Sequence, residues 1–143
     1  MSNEDPFPTE LIPDAGFGSM ISHLCSRPGM YVGRADFSAV VAYIDGFNVA
    51  RGGAPLLGFR EWLVVKANTG NNLHWAGLVK LLVRLPEKES EDTQDEFWIA
   101  AAGNLIADYL AYRNANGITK VYYKYARWLL RKKWYRGPLR NRD

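Results

Sequence analysis

A chain of 143 residues with 48% apolar residues is long enough to bury one core unaided and too apolar to remain disordered. Its one cysteine excludes an intrachain disulfide, and 18 basic against 15 acidic residues is too small an excess to demand a nucleic-acid partner. No apolar run reaches the roughly 20 residues of a membrane span. The opening MSNEDPFPTE also lacks the apolar stretch of a secretion signal, so a cytoplasmic location is expected.

Residues 1–15, with Pro6, Pro8 and Pro13 among acids, predict a flexible arm ahead of a helical domain over 16–137 and a basic tail over 138–143. Phe17, Met20, Ile21 and Leu24 recur at helical spacing until Pro28 stops the segment. In SRPGMYVGR, Ser26 to Arg34, Pro28 and Gly29 predict a type II turn with Gly29 at positive φ. Met30, Tyr31 and Val32 then form an extended apolar plug docked on the core. The next helix carries Phe37, Val40, Val41, Ile44 and Phe47 on one stripe, with Asp36 or Ser38 as cap and Gly52-Gly53 as stop. Phe59, Trp62, Leu63 and Lys66 favour a further helix, although Trp62 to Val65 also fits a buried strand.

After NTGNN, Asn71 or Asn72 is the expected cap of a helix bearing Trp75, Leu78, Val79, Leu82 and Leu85, closed by Pro86. The acidic run EKESEDTQDE, Glu87 to Glu96, predicts a loop. Trp98, Ala102, Leu105, Ile106, Tyr109 and Leu110 mark the longest helix, ended by Asn116-Gly117. A last helix takes Thr119 as cap, turns Val121, Tyr122, Tyr125, Trp128 and Leu129 inward, and stops at Gly137-Pro138. Nothing alternates with period two for long and no repeat is visible, so the expected fold is all-α, a single compact domain of five or six helices.

His23, His74 and Cys25 supply too few ligands for a protein-only zinc site. Each histidine reads as a half-buried group on a helix surface, and Cys25 as a small buried hydrophobe. Neither a nucleophile elbow nor a pair of acids in an apolar setting is present. Asp45 and Asp108, in otherwise apolar helices, are the best single acid–base candidates, with no partner visible in the sequence. The chain therefore reads as a non-catalytic protein that needs no metal and no cofactor.

RPGMYVG, Arg27 to Gly33, resembles the RPGMYIG segment of the DNA gyrase ATPase subunit and related type II topoisomerases. That family also needs an acidic base and a metal-binding asparagine on one helix, mimicked at best by Asp45 and Asn48, and an Asp-x-Gly-x-Gly loop. The loop does not occur in this chain, so the likeness reads as coincidence. A wider pattern joins RPGMYVG to Gly58–Trp62 and Asn71–Trp75. It resembles small bacterial proteins of the toxin-neutralising immunity type with an RP-x-M-Y-hydrophobic-G, G-F-x-x-W, N-N-L-x-W layout.

That resemblance implies a domain that binds a cognate protein toxin and covers its active site; it assigns no residue roles. Charge does offer candidates, because opposite patches steer encounter with a partner. Glu87, Glu89, Glu91 and Asp92 are the first expected partner contacts, with Arg27, Arg34 and Arg60 next. The alternative is a nucleic-acid-binding helical module using Lys124, Arg127, Arg131, Lys132 and Lys133, whose interleaved Tyr and Trp could stack bases although most of them fall on a core-facing stripe.

Overall fold

Apolar residues spaced three and four apart can be buried only by helices that share them, and the chain folds accordingly. The computed structural model describes residues 13–86 and 91–138. Among these it forms seven helices and no strand: α1 Pro13–Ser26, α2 Gly29–Val32, α3 Phe37–Ala50, α4 Phe59–Ala67, α5 Trp75–Leu82, α6 Glu91–Asn116 and α7 Ile118–Leu130. The all-α expectation holds, with α2 as the helix beyond the expected six. None of the helices among the described residues is long and apolar enough to cross a membrane.

The longest helix, α6, runs through the middle and packs on α1, α3, α4, α5 and α7. Leu24, Ile44, Leu63, Leu78, Ile106 and Tyr109 are shielded from water around it, each apolar side chain contributing about 2 kcal/mol by burial. Close approach fixes the α1 to α6 seam: a Cβ at Gly103 would stand 3.0 Å from Cys25 Cβ and Sγ. A second close approach lies where α4 begins. Gly58 has φ 83° and is the N-cap of α4, and a Cβ there would collide with the Tyr109 hydroxyl.

Local signals set most helix ends. Asp36 caps α3 by accepting from the Ala39 amide at 3.0 Å, and that bond holds its carboxyl below the usual range, with Arg34 adding to the effect. The strand option for Trp62 to Val65 falls away, since these residues lie within α4.

Several expectations are corrected. Pro28 does not open a type II turn: it sits in the helical region at φ −59°, ψ −32°, its carbonyl accepts from Tyr31 and Val32, and the left-handed glycine is Gly33 at φ 87°. Proline is pre-organised for the start of a helix, so the turn winds forward into α2 instead of reversing. The apolar plug is corrected too. No residue of α2 is fully buried and Met30 is 76% exposed; of the three plug residues, Val32 packs against the core while half-buried.

His74, not Asn71 or Asn72, caps α5, its Nδ1 accepting from the Ala76 amide at 3.1 Å. α5 stops at Leu82 because Val83 turns extended, which leads the chain to Pro86 with Leu85 still packed on the core. Residues 91–96 of the acidic run are the first turns of α6, where carboxylates favour the positive end of the helix dipole. Gly117 rather than Thr119 caps α7, Tyr122 is 38% exposed, and the helix stops at Leu130. Beyond it, turns carry Lys132 to Asn68 and set Trp134 edge-on to Trp128, a tertiary pull that the helical period does not encode.

Candidate functional site

Two of the patterned segments meet in one polar seam between α3, α4 and α5. Asp45, on α3, accepts from Trp75 Nε1 and His74 Nε2, both at 2.8 Å. Beside it Arg60 donates to the Asn71 carbonyl at 2.8 Å and lies 3.9 Å from Glu61. A cavity of about 270 Å³ opens here, lined by Asp45, Asn48, Arg60, Glu61, Trp75 and Tyr122 among others.

An Asp–His pair beside a cavity is the arrangement of a general base, but here both ring nitrogens of His74 are engaged. Asp45 takes the proton-bearing Nε2, and the Ala76 amide occupies the lone pair on Nδ1. A base needs a free nitrogen within reach of a substrate proton, and His74 keeps none. Asp108 is exposed on α6. Cys25 is half-buried, and desolvation pushes its thiol up to about 11, which leaves little of the reactive thiolate at neutral pH. Among the described residues no group of three or more His, Cys, Asp or Glu gathers as a metal site.

Other residues of the two segments hold the packing together, while Asn72 and Leu73 face solvent. Phe59 and Trp62 pack their rings on Tyr109, and Asn71 accepts from the Tyr125 hydroxyl. Arg60, one of the expected partner contacts, ties α4 to the loop before α5.

The RPGMYVGR stretch behaves differently. The amides of Met30, Tyr31, Val32 and Gly33 all donate to carbonyls between Arg27 and Gly29, so none remains to cradle a phosphate. Val32 packs against the core, but its neighbours point outward: Met30 is 76% exposed, and Tyr31 (38%) meets Tyr43 (37%) edge-on at 5.8 Å. Arg27 is exposed at one end of the turn. Arg34, with 81% of its side chain exposed, holds Asp36 at 3.0 Å at the other. Arg27 lines a cavity with Met30 and Tyr31, Arg34 stands at the far end of the same turn, and Arg60 lines a different cavity. A segment of four residues between Pro28 and Gly33 was the available signal for this, since it is too short for anything but a single protruding turn.

Of the expected acidic contacts, Glu87 and Glu89 lie outside the described residues, and Glu91 and Asp92 fall in the first turn of α6 with side chains outside the description. The basic set lies on α7 and the turn after it. Lys124 stands over the Tyr112 ring, Arg127 over Tyr123, and Lys132 over Trp128. Compared with protein-family models, with curated proteins and with solved structures, the chain matches none.

Proposed function

We propose that this chain is a non-catalytic immunity-type protein of the cytoplasm that binds a cognate bacterial toxin, and that α2 with its flanking arginines is the contact surface. The observation that carries the reading is the exposure of Met30 and Tyr31 beside Tyr43, framed by Arg27 and Arg34. Met, Tyr and Arg are enriched where protein interfaces bury their centres. The backbone of the turn is already satisfied and its last residue is locked by Gly33, so docking would cost little ordering entropy. The resemblance read from the sequence supports the same conclusion, because its first segment is the one that turns large side chains, Met30 and Tyr31, into solvent beside arginines. In this reading Glu87, Glu89, Glu91 and Asp92 serve as a second, electrostatic contact that speeds encounter.

The test pairs this protein with the toxic product encoded beside it, in a strain that the toxin kills. Met30→Ala with Tyr31→Ala is expected to abolish protection and weaken binding at least about 30-fold, the effect of losing a hot spot. Charge reversal at Glu87 and Glu89 is expected to slow association and flatten its salt dependence. Full protection and unchanged affinity in the Met30/Tyr31 variant, with the helical fold intact by circular dichroism, would sink the proposal.

A further inference from the structure

The outer edge of α7 carries side chains for which the core has no use. Tyr123 is 58% exposed and Trp134 57%. Arg127 and Arg131 are exposed between them, so that Tyr123, Arg127 and Arg131 follow one another at single-turn steps of about 6 Å. From Thr119 to Arg136 the sequence holds seven lysines and arginines and no acid. Among the described residues Lys120, Lys124, Arg127 and Arg131 pair with no carboxylate: Lys120 donates to Asn116, Arg127 to the Tyr123 hydroxyl, and Arg131 to the Arg127 carbonyl. A solubility patch would carry cations alone. A tryptophan and a tyrosine more than half exposed beside these cations form the combination of ring platform and positive charge that single strands use.

A pocket of about 370 Å³ adjoins this edge, lined by Asn68, Thr69, Gly70, Asn71, Asn72, Trp128, Lys132 and Trp134. Asn68 Oδ1 accepts from Trp128 Nε1 at 2.8 Å and from Lys132 Nζ at 2.9 Å. Both partners can only donate, so the oxygen must face them and the amide NH₂ is the group of Asn68 with bonding capacity left. Asn71 Oδ1 is likewise engaged by the Tyr125 hydroxyl. The pocket therefore presents amide donors next to an exposed indole face.

We propose that α7 and the turn after it bind single-stranded nucleic acid, with bases stacked on Tyr123 and Trp134, phosphates on Arg127 and Arg131, and a keto-bearing base seated against Asn68. Unpaired strands are favoured because a ring platform needs an unstacked base face, which a duplex withholds. A uracil or thymine offers two carbonyl acceptors to the amide donors, whereas the pairing edge of adenine offers one ring nitrogen, N1, beside its own amino donor. The site lies on α7, apart from the α2 surface, and stands or falls independently of toxin binding.

The full chain is titrated against labelled U12, A12 and a 12-base-pair duplex RNA, read by fluorescence anisotropy at 50 and 200 mM NaCl. U12 is expected to bind best and to lose roughly sevenfold in affinity across that salt step, as two phosphate contacts, at Arg127 and Arg131, on a single strand imply. Trp134→Ala should weaken U12 about tenfold with the salt slope unchanged, and Arg127→Gln should lower the slope by about 0.7. Both positions are exposed, so each variant keeps its helices. No binding at 50 mM, a duplex bound as tightly as U12, A12 bound as tightly as U12, or a Trp134→Ala variant of unchanged affinity would each overturn the proposal.

Discussion

Tyr109 shows how one buried hydroxyl is kept. Its Oη donates to the Leu57 carbonyl, and Arg113 reaches the same oxygen at 3.0 Å. Because that acceptor keeps Arg113, Tyr109→Phe should cost only about 1 kcal/mol in urea denaturation. Desolvation pushes the Tyr109 hydroxyl up to about 12, with Arg113 pulling weakly the other way. Its neutral form is therefore favoured in the folded state, so its contribution is complete below pH 10, where the unfolded side chain ionises, and drains away as pH rises toward 12. Stability measured from pH 9 to 12 is expected to fall less steeply in Tyr109→Phe than in the parent. Identical slopes would mean that the hydroxyl is not desolvated.

At the scale of elements, α5 is a short helix whose start is held from outside. His74 caps it and is itself held by Asp45, which also takes the Trp75 indole proton. Asp45→Ala leaves a buried indole N–H without an acceptor and should cost about 1–3 kcal/mol. His74→Ala loses the cap, at about 1 kcal/mol. The two changes share a bond, so the double variant should be more stable than their sum predicts; strict additivity in urea midpoints would show that the His74 to Asp45 bond contributes nothing. None of this was legible beforehand, because Asp45 and His74 are far apart in sequence and a histidine cap has no helical period. The cap at Asp36 was legible, since its partner, the Ala39 amide, is three residues away. The α2 turn fell between these cases. Its proline and glycines signal a turn, but which glycine turns left-handed depends on how the chain leaves Pro28: the helical ψ of Pro28 moves the left-handed position from Gly29 to Gly33.

For the whole molecule, α6 is the hub: α1, α3, α4, α5 and α7 all lean on it. The stripe from Trp98 to Leu110 marked it as the longest helix, because burial at helical spacing is a property of the sequence itself, but which helices gather on it is not. The end of α7 was hidden, since Lys132 and Trp134 are drawn off the helix by partners some sixty residues earlier in the chain and by Trp128. A shared hub makes unfolding cooperative. Amides of α6 from Ile99 to Tyr109 are expected to exchange with deuterium only through global unfolding, whereas those of α2, with no buried residue, exchange through local opening. Equal protection in the two would contradict this hierarchy.

Of the five tryptophans, Trp75, Trp98 and Trp128 are buried, Trp62 is half-buried, and Trp134 alone stands in water. The molecule thus carries a built-in optical reporter: iodide or acrylamide should extinguish the red edge of its emission first, and whatever settles at that end will announce itself as a change of colour without any attached dye.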